Sequence, residues 1–411
     1  MKAIFLPIAG LAALTLAACS TVHNQHNGIQ PASLLIEEQV DGSPVGVTGK
    51  AKVRDELGFT AFTPSPVSFA TGEVAVFGSE YSYPMIAGSI ALFNPDLQLI
   101  WRNIFPLGPT ATVTAVAEGD DGFIYAAGQS KQLGDKPAKT WVIKLDHTGK
   151  KIWHCSVGKV NARPTAIRTL PDGSVVLVGT KPRPEHGYHV WFAKVGRKGA
   201  LVRQKTMKDT NAKGIAKVAQ SGQDTFVAWE TATGQRSHMT RINRHGKHIK
   251  TTLLTNFKTP LSIRTMATIP DRGMLGAFKT TDSGLMIGRY DLDGRWAWET
   301  THEVPIAWSQ ASSLVTSHGN NIVALHEPEG NFVWLAAFTA KGELLWEKTV
   351  DKGLKAPVLS LVRGWHNRFS MVVADMDFGT EVPNVKRFDF LANGRDYDQI
   401  VSNSFRVVDS Y

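Results

Sequence analysis

Acidic and histidine side chains that could do chemistry recur along the chain. Four aspartates, each within three residues of a glycine, could serve as general acids or bases: Asp146, Asp172, Asp271 and Asp293. Two histidine pairs have the close spacing of metal ligands, His186 with His189 and His245 with His248. Neither pair has a third ligand nearby in sequence, and aspartate is common in turns because it accepts backbone hydrogen bonds. We therefore expect turn and loop residues, no catalytic residue and no metal site.

Motifs that would indicate a known chemistry are missing from the sequence. It contains no Walker loop, EF-hand loop, HExxH or GxSxG. The only cysteines are Cys19 and Cys155, and no constellation that could activate a thiolate surrounds Cys155. We expect Cys155 to be a small buried apolar residue and the protein to be non-catalytic.

The turns that carry the aspartates belong to a repeat. The stretch KLDHTGKKIW at 144–153 recurs at separations of 52, 50, 47, 48, 48 and 52 residues, which we call the LDxxG-type series. A period near 50 residues over this length indicates a repeat array. The turn position is glycine in all copies but the first: Leu97, Gly149, Gly199, Gly246, Gly294, Gly342 and Gly394.

A second series of turns, the PDG-type series, alternates with the first at separations of 50, 51, 49, 51, 46 and 48 residues. Its positions are Gly72, Gly122, Gly173, Gly222, Gly273, Gly319 and Asn367. Short apolar or alternating runs flank each turn, and Gly or Asn supplies the positive φ of a tight hairpin. Each repeat is therefore predicted to contain two hairpins and to form a four-stranded antiparallel sheet.

The two series, each of seven members, predict an all-β fold over residues 51–411, a seven-bladed β-propeller. The PDG-type series starts first, at Gly72, and the LDxxG-type series ends last, at Gly394. We therefore expect that neither terminus holds a whole blade. The hairpin around Gly72 should pair with the hairpin around Gly394, which would close the ring and leave no open sheet edge.

A tryptophan stands four residues after the turn position in four copies: Trp101, Trp153, Trp298 and Trp346. The other copies have Arg203, Lys250 and Asp398 there. A large ring that repeats in step with the fold suits packing between neighbouring blades, where it buries much area. We interpret the four as structural blade-docking residues. The alternative is that they line a ligand site.

The N-terminus has the pattern of an export signal. Lys2 precedes the apolar run AIFLPIAGLAALTLAA, which suits a secretory signal and not a membrane span. Leu16-Ala17-Ala18-Cys19 resembles the bacterial lipobox, which implies cleavage before Cys19 and lipidation of that residue. The alternative is an ordinary secretory signal that ends in cysteine. We expect a signal peptide over 1–18 and a polar tether over 19–50, and the resemblance, with serine at position 20, implies the outer membrane.

The repeat signature LDxxGKxxW resembles the quinoprotein-like propeller repeats of bacteria, over roughly residues 60 to 405. With the lipobox, the chain is similar to outer-membrane lipoprotein propellers such as the propeller subunit of the outer-membrane β-barrel assembly machine. That subunit has eight blades, and three tryptophan positions are substituted here. The resemblance implies a non-catalytic scaffold in the cell envelope. Related quinoproteins bind pyrroloquinoline quinone and calcium and commonly have a vicinal disulfide, which this chain lacks, so we expect no cofactor.

Charge is unevenly distributed along the 411 residues, whose formal net charge is +9. Residues 131–250 hold 24 Lys plus Arg against 7 Asp plus Glu, a net +17, while the rest of the chain has a net −8. The alternative to a binding surface is a solvated face. We expect one basic patch around two consecutive LDxxG-type hairpins, formed by Lys194, Arg197, Lys198, Arg203, Lys205, Arg241, Arg244 and Lys247.

These features together predict an outer-membrane, lipid-anchored propeller that serves as a protein-interaction scaffold within a larger envelope complex. Its partner should be an acidic envelope protein or an anionic surface of lipid headgroups or lipid A. The expected compartment excludes nucleic acid. The alternative function is a propeller enzyme or ligand-binding protein that uses its central funnel for a sugar or a quinone, since propellers host many functions.

Overall fold

A computed structural model describes residues between 65 and 403. The positions in this span that it does not describe are 70, 83–84, 132–136, 159–160, 185, 222–223, 234–235, 246, 255–261, 270–272, 281–283, 305–307, 309, 317–318, 328–331, 351–357, 364–367, 376–383 and 394–400. The expected signal peptide (1–18) and tether (19–50), with Cys19, lie outside the described residues, as do Asp271 and the turn positions 222, 246, 367 and 394.

The described residues form 27 strands joined by turns, and no helix occurs among them. Accordingly, this part of the chain contains no helix that is long and apolar enough to span a membrane. The strands make five sheets in which sequence neighbours pair antiparallel. An all-β fold of four-stranded antiparallel groups, consistent with a β-propeller, is thus confirmed.

The first sheet has eight strands and consists of two four-strand groups. Its strands are β1 (Ser65–Ser68), β2 (Val74–Ser82), β3 (Met85–Phe93), β4 (Leu99–Phe105), β5 (Thr110–Glu118), β6 (Ile124–Lys131), β7 (Lys139–Leu145) and β8 (Lys151–Ser156). One parallel pair, Ile86 with Thr110, joins the groups β1–β4 and β5–β8 into this sheet.

The second sheet has seven strands because one long strand serves two groups. Its strands are β9 (Arg163–Thr169), β10 (Val175–Pro182), β11 (Tyr188–Val195), β12 (Leu201–Ser221), β13 (Asp224–Thr231), β14 (Ser237–Ile242) and β15 (His248–Leu253). The first part of β12 pairs with β11 and its last part pairs with β13, and the change occurs at Ala212. The groups β9–β12 and β12–β15 therefore share this strand.

The remaining sheets each have four strands. They are made of β16 (Ser262–Ile269), β17 (Gly273–Lys279), β18 (Leu285–Tyr290), β19 (Trp296–His302), β20 (Gln310–Val315), β21 (Asn321–Glu327), β22 (Phe332–Phe338), β23 (Leu344–Val350), β24 (Val358–Arg363), β25 (Arg368–Asp375), β26 (Asn384–Leu391) and β27 (Val401–Asn403). The order within each sheet is sequential: β16–β19, β20–β23 and β24–β27.

The turns take the backbone conformation that the repeat predicts. Gly149 and Gly199 have φ values of 80° and 82°, in the left-handed region that glycine tolerates best. Leu97, the leucine copy, adopts the same conformation with φ 60°. Its N–H donates to Asn94 O at 2.9 Å, as Gly149 N–H donates to Asp146 O at 3.0 Å. The repeat position, and not the residue type alone, thus dictates the turn.

The expected pairing of the two terminal hairpins is wrong for the described strands. The hairpin β1–β2 pairs with β3–β4, whereas β26–β27 pairs with β24–β25 in a separate sheet. In each group, the first two strands flank a PDG-type position in sequence, and the last two flank the LDxxG-type position that follows it. The physical reason is connection length: β2 ends at Ser82 and β3 begins at Met85, so a tight connection sets the two hairpins side by side.

The apolar core is divided into clusters, each formed by two groups. One cluster contains Tyr125 from the β5–β8 group and Trp191 from the β9–β12 group, both fully buried. Another brings Phe93 from β3 together with Val372 from β25 and Val385 from β26. The first strands of successive groups also contact one another, and β24 contacts β1. The first and last groups of the chain are therefore neighbours through side-chain packing.

Candidate functional site

The four tryptophans of the LDxxG-type repeat lie half-buried on the outermost strands of their groups: Trp101 on β4, Trp153 on β8, Trp298 on β19 and Trp346 on β23. Three of them donate an Nε1–H bond to the next group: Trp101 to His147 O at 2.8 Å, Trp153 to Arg197 O at 3.1 Å and Trp346 to Ala392 O at 2.9 Å. Each acceptor lies two residues before the turn position of its LDxxG-type copy.

The turn glycine of the next group lies against the tryptophan ring. A Cβ added to Gly199 would lie 2.9 Å from Cδ2 of Trp153, and one added to Gly342 would lie 2.7 Å from Cζ3 of Trp298. Trp298 packs in this way although none of the described residues accepts a hydrogen bond from its buried Nε1–H. At Gly199 and Gly342, glycine therefore suits both the positive φ of the turn and the close approach of the ring.

Cations replace the tryptophan hydrogen bond where the tryptophan is substituted. In the group with Arg203 at the tryptophan position, Lys194 Nζ donates to Arg244 O at 3.4 Å. In the group with Lys250 there, Arg241 Nη1 donates to Leu292 O at 3.3 Å. Both acceptors occupy the same repeat position as the acceptors of the tryptophans. At each of these junctions, the backbone carbonyl two residues before the turn position therefore accepts the hydrogen bond.

Lys194 and Arg241 are also paired with carboxylates. Lys194 Nζ lies 3.1 Å from Asp172 Oδ2, and Arg241 contacts Asp224 Oδ2 at 2.6 Å and Asp293 Oδ1 at 3.3 Å. Burial alone would raise the pKa of Asp172, but hydrogen bonds from Ser174 and Lys194 outweigh it and lower the pKa to about 2. The structure thus places Lys194 and Arg241 inside the junctions and not on an open surface.

The remaining predicted basic residues are exposed. We define the turn patch as Arg197, Lys198, Arg244 and Lys247, all solvent-exposed in two LDxxG-type turns. The contact of Lys194 with Arg244 O brings these turns together, although about 50 residues separate them in sequence. Among the described residues, no carboxylate forms an ion pair with Arg197, Lys198 or Lys247. Positive charge therefore accumulates on one end of the sheets.

Two further predicted residues extend this positive surface. Arg203 and Lys205 are exposed on the first part of β12, directly after the first of the two turns. Arg203 lies opposite Lys194 in the pairing of β12 with β11. The structure therefore brings six of the eight predicted residues to solvent around the two adjoining turns.

The turn aspartates and the histidines have local partners. Asp146 Oδ1 accepts hydrogen bonds from the N–H groups of Thr148 and Lys150, each at 2.9 Å. His189 Nδ1 lies 3.1 Å from Thr210 O, and His248 Nε2 lies 2.9 Å from Thr251 Oγ1. Within the described ranges, no three His, Cys, Asp or Glu side chains come together as metal ligands.

A second row of tryptophans was missed in the sequence. Trp141, Trp191 and Trp334 stand eight residues before their turn positions, on the third strands of their groups, and each is at most 3% exposed. Their recurrence in TWVIKL, YHVWFAKV and FVWLAAF was the available signal. Because they are buried in the inter-group clusters, these residues contribute to packing and not to an open site.

Arg387 is another residue that sequence reasoning missed. Its Nη1 donates to Gly72 O and to Pro95 O, each at 3.4 Å, and its Nε lies 2.8 Å from Asp389 Oδ1. Pro95 O occupies the same repeat position as the carbonyls at the other junctions, two residues before Leu97. No local signal could have identified this contact, since 292 residues separate Arg387 from Pro95.

Comparison with known proteins gives a likeness of fold only. No protein-family model matches the chain, and no curated protein matches it. The structure is similar to a putative 6-phosphogluconolactonase from Bacteroides uniformis, with TM-score 0.54 and 12% identity over 80% of this chain and 97% of that chain. At this identity the likeness shows the fold alone, and with the four-stranded groups it supports a β-propeller-like fold.

Two further similar structures have lower TM-scores. One is Sqt1 from Chaetomium thermophilum bound to the N-terminus of the ribosomal protein L10, with TM-score 0.49 and 14% identity over 81% of this chain and 85% of that chain. The other is BBS1N in complex with ARL6DN, with TM-score 0.48 and 11% identity over 77% of this chain and 89% of that chain.

Proposed function

We propose that the chain is a seven-bladed β-propeller whose ring closes by side-chain contacts between its first and last blades. Three observations support closure: the shared apolar cluster of Phe93 with Val372, the contact of β24 with β1, and the Arg387 hydrogen bonds to Gly72 O and Pro95 O. Arg387 there takes the role that Trp153 and Arg241 have at other junctions. A closed ring leaves the LDxxG-type turns of neighbouring blades side by side on one face.

The proposed function is that of a non-catalytic interaction scaffold for an acidic partner. The observation that carries it is the turn patch, in which Arg197, Lys198 and Lys247 are exposed in adjoining turns without a described carboxylate. Charge of one sign concentrated on a face attracts a complementary surface and speeds encounter. Lys194 and Arg241, which the sequence assigned to the same surface, stabilise the blade junctions instead.

The partner is an acidic protein or an anionic lipid surface of the cell envelope, and the protein is one subunit of a larger complex. This location rests on the sequence Leu16-Ala17-Ala18-Cys19, from which we propose lipidation at Cys19 and an outer-membrane anchor. The test is fractionation of wild type and Cys19→Ala. Wild type should be cleaved before Cys19 and carry lipid, and the variant should remain an uncleaved precursor without lipid. A wild type that fractionates as soluble material would contradict the proposed anchor.

The test of the turn patch is charge reversal. Glutamate at Arg197, Lys198, Arg244 and Lys247 should reduce the material that co-purifies with the protein from detergent-solubilised membranes. The loss should be larger at low salt, because the Debye length falls from about 10 Å at 0.1 M to about 3 Å at 1 M. Folding should be unchanged, since all four side chains are exposed.

A matched control reverses four exposed cations at the opposite end of the strands: Lys139, Arg163, Lys208 and Arg236. Both quadruple variants change the net charge equally, so a general charge effect would appear in both. The proposal requires loss of the same partner from the turn-patch variant only. If the turn-patch variant folds and retains every partner at low ionic strength, the patch is merely a solvated face.

A further inference from the structure

Two cations on the neighbouring strands β9 and β12 have no carboxylate partner among the described residues. Arg168 lies on β9, the first strand of its group, and its Nη2 donates to Val218 O on β12 at 3.1 Å. Its Nε–H is buried and has no hydrogen-bond partner within the described part of the chain. The guanidinium therefore links one four-strand group to the next, and its Nε–H remains available as a donor.

Lys217 precedes Val218 on β12 and is the second cation. Solvent reaches its side chain, yet burial and then the charge of Arg168 lower the pKa of Lys217. Burial also lowers the pKa of Arg168. The hydrogen bond of Arg168 to Val218 O places the guanidinium beside the part of β12 that carries Lys217.

No described carboxylate neutralises this pair. Neither cation forms an ion pair with Asp or Glu in the part of the chain that the structure describes. By contrast, Lys144, Lys194 and Arg241 each have a carboxylate within 3.3 Å. Two like charges with reduced hydration are unfavourable unless an anion accompanies them.

We propose that Arg168 and Lys217 form a binding site for one oxyanion group, a phosphate or a carboxylate, between β9 and β12. A guanidinium N–H and a nearby ammonium suit an anion with several acceptor oxygens, to which each makes a charge-assisted hydrogen bond. Lys217 supplies a mobile point charge, and Arg168 is held by its bond to Val218 O, so the site is partly preorganised.

The position of the site indicates how a larger ligand would reach it. Arg168 stands five residues before Gly173, and Lys217 stands four residues before β12 ends at Ser221, so both lie toward the end of the strands that carries the turns. The turn patch lies at the same end. An anionic group of a macromolecule could therefore enter between β9 and β12 while its flanks contact the exposed turns.

The experiment is calorimetric titration of the full chain with inorganic phosphate, at constant ionic strength maintained with sodium chloride. Wild type should bind one phosphate per chain. Lys217→Gln should weaken binding by at least about tenfold, which corresponds to about 1.4 kcal/mol. The control is Lys208→Gln, which removes the same charge from an exposed position on the same strand and should bind phosphate as wild type does.

A second titration with acetate identifies the group that the site prefers. Tighter binding of phosphate assigns it to phosphate groups, and tighter binding of acetate assigns it to carboxylates. Circular dichroism should show that Lys217→Gln is folded, since the side chain is exposed. The proposal is overturned if wild type binds neither anion, or if Lys217→Gln binds as wild type does. The oxyanion site does not depend on the turn patch. Charge reversal in the turns tests the patch, phosphate titration of Lys217→Gln tests the site, and either proposal can be refuted without the other.

Discussion

A single methyl group added at Gly199 tests how closely neighbouring four-strand groups are packed. In Gly199→Ala the new Cβ would lie 2.9, 3.1 and 3.2 Å from three atoms of the Trp153 ring. The φ of 82° adds a left-handed backbone penalty of about 1–2 kcal/mol. Overpacking against the ring should add about 1–3 kcal/mol. We expect Gly199→Ala to lower the free energy of unfolding by about 3 kcal/mol.

Gly122→Ala is the matched control. Gly122 has a φ of 73°, and an added Cβ would have no atom within 4 Å, so it tests the backbone penalty without the ring. It should cost about 1–2 kcal/mol. The difference between the two alanine variants measures the contact with Trp153.

A double-mutant cycle isolates that contact. Trp153→Ala alone should cost about 2–3 kcal/mol, below the usual range for a fully buried aromatic residue, because the ring is half-buried. In that background Gly199→Ala should cost no more than Gly122→Ala does in wild type. The assay is urea denaturation followed by far-ultraviolet circular dichroism, which does not rely on tryptophan fluorescence. Equal costs for Gly199→Ala with and without Trp153 would refute the packing argument.

Two further predictions concern the junctions. Trp153→Phe should cost about 1 kcal/mol more than Trp298→Phe, because Trp153 loses its hydrogen bond to Arg197 O while Trp298 has no such bond; similar urea midpoints for the two variants would contradict the assigned role of that bond. Arg387→Ala should speed amide hydrogen exchange in Ser65–Ser68 as well as in its own strand, because it joins the first and last groups. Faster exchange confined to β26 would mean that this contact does not stabilise the closure of the ring.

Local sequence determined the turns and the strands. Alternating apolar runs on either side of a glycine specify a hairpin from short-range sterics and burial alone. The period was strong enough to place Leu97 in the series, and its φ of 60° shows that the position keeps the turn without glycine. The all-β class follows from the same local pattern.

Only the tertiary structure decided which hairpins share a sheet and what joins the groups. Because the two series of turns alternate, their spacing does not show whether a PDG-type hairpin shares a sheet with the LDxxG-type hairpin before it or after it. The short connection from β2 to β3 pairs it with the hairpin after it. The charge pattern of the sequence assigned Lys194 and Arg241 to a surface patch, whereas in the structure they stabilise junctions. The hydrogen bonds of Arg168 to Val218 O and of Arg387 to Pro95 O link strands that are distant along the chain. A periodic pattern records where the chain turns, but a contact depends on which residues the completed fold brings within hydrogen-bonding distance.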